Sequence, residues 1–394
     1  MDSSHVSYVI DTLFLLFSAV LIIFMVPGFA MLEAGLVRTK NVSAVLTGNV
    51  LLYAITSFVF LLWGYNMMFG GNGFFLSGVS VEGYSPYAYF FFQMAFVSKT
   101  VSIMSGGVSE RIRIIPFMIF AIIMSGFIYP AVGNAIWGGG FLKEVHDLAG
   151  CTVIHSVGGW ALLAGILVLG SRRGRYGKEG QVRAIPASNI PLVTLGGMLL
   201  WIGWFGFNGG SAFHIATDKE ATDLVGLIIV NTNTAGLAGA IIASLIVYFQ
   251  YRKLDITMIL NGALGGLVAI TASADVVGLW QPIIIGAIGG ALVVFAVPLF
   301  DKFKIDDPVG ALSVHLVNGI WGTIAVALFA DFSLLTQLKG IALTGLFTFP
   351  VSYVCFVVIK KAIGLRSDEE HEYVGLDLEE CGLEAYPEFV KSKI

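Results

Sequence analysis

Cys151-Thr-Val-Ile-His155-Ser-Val-Gly-Gly-Trp160 and Leu312-Ser-Val-His315-Leu-Val-Asn-Gly-Ile-Trp321 decide how this chain reads. Each places a histidine inside an apolar run of membrane-crossing length. Each histidine has Val two residues later and Gly four residues later: Val157 and Gly159 in the first stretch, Val317 and Gly319 in the second. Each is preceded at the same offset by an aspartate, Asp147 or Asp307. One structural unit used twice accounts for the pattern. Histidine in hydrocarbon is costly and usually marks a pathway or a site. Two of them in repeated settings point to a paired site on an internal two-fold axis.

Composition sets the class. Apolar residues make up 57% of the 394-residue chain and charged residues 12%, with a mean hydropathy of +0.86. Soluble domains carry roughly 25% charged residues, so this is a polytopic membrane protein and not a soluble domain on an anchor. Its 48 glycines suit close helix packing in lipid. No segment is basic and aromatic enough for nucleic-acid binding. Cys151, Cys355 and Cys381 give neither a zinc spacing nor a disulfide framework, so no metal or cofactor is expected. The start, Met-Asp-Ser-Ser-His, lacks a basic signal region, and the apolar run after it predicts a retained first helix.

A crossing needs about 20 apolar residues. Spans are predicted at 8–33, 43–69, 87–108, 112–136, 148–170, 190–209, 222–250, 256–273, 278–299, 308–330 and 338–362. All but four of the 22 Lys and Arg fall in the tail or in the loops after spans 1, 3, 5, 7 and 9; the exceptions are Lys99, Lys143, Lys219 and Lys339. By the positive-inside bias, the N-terminus is outside and the C-terminus cytoplasmic. The expected architecture is all-α: eleven transmembrane helices in a five-plus-five inverted repeat, spans 1–5 (about 8–170) and spans 6–10 (about 190–330), plus an eleventh helix. Residues 1–363 form the membrane domain and 364–394 an acidic tail. The tail composition fits disorder, whereas its Tyr373-Val-Gly-Leu-Asp-Leu378 patch argues that part of it docks.

The histidine spans are the fifth and the tenth, so an inverted repeat makes them enter from opposite faces. Eight residues of helix span about 12 Å. In a core of about 30 Å, the two imidazoles come within roughly 6 Å of each other in depth. Three readings are open for the pair: glue between helices, metal or haem ligation, and a pore-lining pair that passes a small hydrogen-bonding solute or a proton. Asp307-Pro308 reads as an N-cap followed by proline at the first helical position. Asp147 reads either as a cap or as a carboxylate favouring a cation near a pore mouth.

Aromatic residues add a second signal. Phe92-Gln-Met-Ala-Phe96 opens span 3, Trp137-Gly-Gly-Gly140 ends span 4, and Trp204-Phe-Gly-Phe207-Asn-Gly-Gly-Ser211 ends span 6, all toward one face. They read either as an interfacial aromatic belt or as a cation–π cup with a hydroxyl donor; the clustered glycines favour the shaped cup.

With these residues in place, the chain resembles the ammonium transporter (Amt/Mep/Rh) family over nearly its full length. The resemblance lies in Met31-Leu-Glu-Ala-Gly-Leu-Val-Arg-Thr-Lys-Asn41, Ser109-Glu-Arg-Ile-Arg113, Ile136-Trp-Gly-Gly-Gly140, Asp147 to His155, Gly203-Trp-Phe-Gly-Phe-Asn-Gly-Gly-Ser211, Asp306-Asp-Pro-Val-Gly310, His315 and Tyr373-Val-Gly-Leu-Asp377. It implies a homotrimer with a narrow hydrophobic pore through each subunit. It implies that Phe96, Trp137 and Ser211 form an outer ammonium recruitment site, that Phe96 and Phe207 form a phenyl gate, that His155 and His315 are twin pore histidines, and that Asp147 is the supporting acid. It also implies contact of the tail and inner loops with neighbouring subunits and PII-type signal proteins.

Three positions depart from the family pattern: Leu316 after the second histidine and Cys151 before the first, where small glycines are usual, and Lys99 one turn from Phe96. Leu316 is expected to narrow the pore or shift its helix. Lys99 is expected to snorkel, to pair with a carboxylate across a subunit contact, or to raise the barrier for a cation. The function expected is ammonium transport across the cell membrane. NH4+ is recruited outside and deprotonated, NH3 crosses the apolar pore, and the proton travels by a separate relay. An ammonium receptor of the same fold and an electroneutral NH3 channel are the alternatives; no output domain follows the tail within the 394 residues, which favours transport. A membrane redox or metal enzyme would need cofactor ligands that the sequence does not offer.

Overall fold

In the computed structural model, residues 3–389 are described; Lys391 and Lys393, counted above with the tail, lie outside the described residues. Helices form at every expected span. They are α1 (Ser4–Leu36) and α2 (Thr39–Phe69), α3 (Pro86–Val108), α4 (Ile114–Ile136), α5 (Cys151–Leu169), α6 (Ile190–Gly210) and α7 (Lys219–Tyr251). They continue with α8 (Ile256–Ile270), then α9 (Gln281–Lys302), α10 (Leu312–Phe329) and α11 (Leu334–Ile363). A short helix, α12 (Glu369–Val374), lies in the tail. Among the described residues, nine of these helices are long and apolar enough to cross a membrane.

The two that fall short do so for different reasons. α8 has only 15 residues. α3 carries a polar row, including Gln93, Ser98, Lys99, Thr100, Ser102 and Ser105, but every residue from Phe92 to Val108 is buried. A helix enclosed by other helices does not meet lipid, so it tolerates side chains that a lipid-facing helix excludes.

Several helices depart from α winding. Phe60–Gly64 in α2 and Met124–Ile128 in α4 are π turns. They lie side by side, and Trp63 Nε1 donates to the Gly126 carbonyl at 2.9 Å. α5 and α10 each open on a π turn, Cys151–Ser156 and Leu312–Val317, and each turn holds one of the histidines. Such turns are rare and recur at functional sites.

The basic loops meet on one face. Glu110, between α3 and α4, accepts from the Arg38 backbone N–H and Nε, from Asn41 Nδ2 and from Arg172 Nη1. Arg172, after α5, also pairs with Asp306, before α10, through Nη2 at 2.8 Å. Burial alone would push the Glu110 carboxyl up; Arg172 and Arg38 outweigh it and hold it at about 2. Asp306 is held at about 2 in the same way, burial being outweighed by hydrogen bonds and charge from Arg172 and by Arg111. The network keeps Glu110 in a left-handed conformation, φ 67°, that a non-glycine residue enters at a cost.

The tail docks on this face, so disorder is the wrong reading for its described part. Leu376 and Asp377 are buried. The Leu376 N–H donates to Asn41 Oδ1 at 3.0 Å, and Asp377 Oδ1 accepts from the Ala44 N–H at 2.8 Å. Glu380 accepts from the Ile114 N–H at 3.0 Å, and Lys40 Nζ donates to the Glu372 carbonyl at 2.8 Å. Acidic composition suggested solvation; Asp377 and Glu380 instead accept from N–H groups in the first turns of α2 and α4.

Candidate functional site

The two aspartate-to-histidine segments have the same local form. Asp147 Oδ1 accepts from the Gly150 N–H at 3.0 Å, and its Oδ2 from the Thr152 and Val153 N–H groups at 2.9 and 3.0 Å. Asp307 Oδ1 accepts from the Gly310 N–H at 3.0 Å and its Oδ2 from the Leu312 N–H at 2.7 Å. Gly150 and Gly310 stand at φ 106° and 78°, where only glycine is at ease. Each carboxylate therefore caps a helix that starts after a left-handed glycine. The expectation of Pro308 at the first helical position is corrected: Pro308 lies in a bend, and α10 begins at Leu312. For Asp147 the contacts are those of a cap.

The histidines meet. His155 Nδ1 and His315 Nδ1 are 3.1 Å apart, with ring centroids 5.1 Å apart and planes 17° from parallel. Glycines on the partner helix permit this approach. A Cβ on Gly159 would come within 2.6 Å of Leu316 Cβ, and one on Gly319 would come within 2.7 Å of Ser156 Oγ. The residue after each histidine thus packs on the glycine four residues after the other. Leu316, a departure from the family pattern, is buried in this seat. Cys151, another departure, donates to the Val268 carbonyl at 3.0 Å. Gly322 leaves it room, since a Cβ there would meet the sulfur at 2.5 Å.

A column of rings runs through the pair. Phe96 and Phe207 touch edge to face, centroids 4.5 Å apart. Phe207 lies 5.6 Å from His155, and Phe29 lies 6.2 Å from His315. Trp137 stands 6.2 Å from Phe96 at the opposite end, and its Nε1 donates to the Asp147 carbonyl at 2.7 Å. Ser211 Oγ donates to the Phe207 carbonyl at 2.9 Å, one turn along α6. Phe96 and Phe207 are both buried, so the rings close the column at that level.

Phe96, Trp137, Phe207, His155, His315 and Asp147 are therefore contiguous, and Ser211 adjoins them through Phe207. One member, Phe29, escaped sequence reasoning, and another, Trp204, was read only as part of the aromatic cup. Trp204 stacks on His155, centroids 5.3 Å apart and 18° from parallel, held by Nε1 donating to Thr271 Oγ1 at 2.9 Å. Phe29 backs His315. Trp204 was visible in the Gly203–Ser211 motif, but only packing shows that it faces His155. Lys99 lies beside the column, on α3. It is 2% exposed, so it does not snorkel. Its Nζ has no hydrogen-bond partner among the described residues and sits 6.0 Å from the Tyr53 ring centroid. Among the described residues there is no group of three or more metal-ligating side chains.

Comparison with known proteins gives the family. The chain is 39% identical to a putative ammonium transporter of Synechocystis, over 96% of this chain and 90% of the relative. It is 35% identical to the ammonium transporter Amt2 of Archaeoglobus fulgidus, over 97% of this chain and 89% of the relative. Among solved structures, a Sensor Amt Protein superposes with a TM-score of 0.89 at 33% identity, covering 96% of this chain and 99% of its own. The relatives are transporters rather than enzymes, and ammonium or ammonia is the substrate that the family implies. The sequence profile of the Ammonium Transporter Family matches residues 13–386, and the chain, a multi-pass membrane protein, belongs to that family.

Proposed function

We propose that this chain carries ammonium across the cell membrane through the column of rings. The observation that carries the reading is the unbroken series Phe96, Phe207, His155, His315, Phe29, a narrow apolar path holding one hydrogen-bonding station. We infer eleven membrane crossings in a five-plus-five inverted repeat plus a last helix, N-terminus outside and C-terminus cytoplasmic. Residues 1–363 are the transport domain and 364–394 the tail. The one-sided basic network and the matching Asp–Gly–His segments support this. The family resemblance supports a homotrimer and a PII-type signal protein at the cytoplasmic face.

Phe96, Trp137 and Ser211 form the outer recruitment site in this reading. The aromatic faces attract a cation by about 0.5–2 kcal/mol, and a hydroxyl oxygen favours NH4+, a donor, over K+. Phe96 and Phe207 form the gate. An intact ion crossing an apolar column loses its hydration, whereas NH3 loses little. Separation into NH3 and a proton is therefore the cheaper route. With Nδ1 facing Nδ1, one neutral imidazole donates and the other accepts. The pair then presents one Nε2 lone pair and one Nε2–H. A proton taken at one end is released at the other as the shared hydrogen moves across, and both tautomers invert. Asp147 supports the site by holding the start of α5 and, through its carbonyl, Trp137.

An ammonium step applied to reconstituted protein on a solid-supported membrane tests the reading. A saturable current, absent with K+ and abolished or altered in selectivity by His155→Asp, is expected; flux and selectivity unchanged in that variant would sink the histidine role. The likeness to a Sensor Amt Protein favours a receptor as the second reading. Saturable ammonium binding without current or vesicle pH change would mean reception, and a pH change without current would mean electroneutral NH3 conduction.

A further inference from the structure

Glu33 is a buried acid that the site described so far does not use. The other buried acids among the described residues are engaged: Asp11 with His214, Glu110 and Asp306 with Arg172, Glu372 with Arg366, and Asp147 and Asp377 with backbone N–H groups. Among the described residues, Glu33 caps no helix start and pairs with no cation; its side-chain donors are both neutral. Ser105 Oγ donates to its Oε1 at 2.5 Å, and Asn49 Nδ2 donates to its Oε2 at 2.8 Å. A buried carboxyl without a counter-cation is expensive as a structural element, and an ionisable residue at membrane depth is a functional candidate.

Its position is specific. Glu33 follows Phe29 by four residues on α1, on the same helix face, and the Phe29 ring backs His315. It lines two narrow cavities. The first is bounded by Phe29, Leu32, Ser102, Val314 and His315. The second is bounded by Asn41, Asn49, Ser105, Ser109, Glu110 and Leu376, and so reaches the basic face beneath the tail. The groups facing the carboxyl are Ser105 from α3, Asn49 from α2, His315 across the first cavity and Glu110 across the second.

We propose that Glu33 carries the transported proton between the histidine pair and the cytoplasmic side. This rests on the transport reading above. At the outer site NH4+ gives NH3 and a proton. The proton crosses the histidine pair, and His315 passes it to the Glu33 carboxylate, making a carboxylic acid. The acid releases the proton through the second cavity and the carboxylate is restored. NH3 follows the ring column and takes up a proton inside, so each NH4+ that disappears outside reappears inside with its charge.

Proteoliposomes holding wild type, Glu33→Gln or Glu33→Asp provide the test, read as ammonium current and, in parallel, as interior pH. Glu33→Gln keeps the shape but cannot carry a proton; its current is expected to fall at least about tenfold while NH3 entry persists and newly alkalinises the lumen, with Glu33→Asp keeping part of the current. A Gln current within about twofold of wild type overturns the proposal and leaves the transport reading intact. Loss of current and NH3 entry together, unrescued by Asp, also overturns it, since that marks a structural role. A wild type without current overturns the transport reading and this one with it. If Glu33→Gln does not fold, Ser105→Ala serves. Removing that donor destabilises the carboxylate, so the pH profile of the current is expected to move to higher pH, and an unmoved profile overturns the proposal.

Discussion

Lys99 shows what this interior tolerates at the scale of one residue. Its ammonium group is buried with no hydrogen-bond partner among the described residues, and the nearest compensation is the Tyr53 ring. An unsatisfied buried polar group costs about 1–3 kcal/mol. Lys99→Met keeps most of the length and volume while removing the polar head, so thermal unfolding in detergent is expected at a higher temperature by a margin of that order. A lower melting temperature would mean that Nζ is stabilised inside the subunit by more than the Tyr53 ring. The same scale shows what was legible beforehand. His155 and His315 stood out because one spacing pattern occurs twice, Trp137 and Phe207 because glycines flank their aromatic clusters, and Phe96 because it sits in an aromatic-rich helix end that the family resemblance singles out. Glu33 sat within a quoted motif without drawing notice. Nothing local distinguishes it from a capping or surface acid; its meaning comes from Ser105 and Asn49 on other helices.

At the scale of elements, the starts of α5 and α10 carry the argument. Helix existence was legible from apolar length alone, and the helices sit where hydropathy predicts. The start of α10 was not, because Asp307-Pro308 carries the ordinary signature of a helix beginning while the true start waits for Gly310 to turn left-handed. The π winding that follows has no compositional signature. It is stabilised by the carboxylate reaching past the turn to Leu312 and by the glycine seats for Ser156 and Leu316. Asp307→Ala strips acceptors from this start and is expected to cost about 1–2 kcal/mol, the usual value of a lost cap. The loss should appear as earlier thermal aggregation, with Asn, which retains one acceptor oxygen, recovering most of it. Unchanged stability in the Ala variant would mean that those N–H groups find other acceptors.

At the scale of the whole molecule, the Lys and Arg asymmetry correctly put the loops after α1, α3, α5 and α9 on one face. The network that ties them was illegible, since Arg38, Glu110, Arg172 and Asp306 are far apart in the chain and meet only in the fold. Its acids fix a pH window. Glu110 and Asp306 are held at about 2, below their ordinary values of 4.5 and 3.8. A depressed carboxyl binds fewer protons folded than unfolded, so its contribution is complete above the ordinary value and is lost as pH falls toward the folded one. Protection of the 109–113 and 170–173 backbone against hydrogen exchange, corrected for intrinsic rate, is therefore expected to hold down to about pH 5 and to fall away toward pH 2. In Glu110→Gln the neutral side chain cannot titrate. Arg172 then keeps Asp306 alone, so protection should start lower at neutral pH and fall less steeply on acidification. An acid profile identical to that of wild type would show that Glu110 is not what ties the inner loops together.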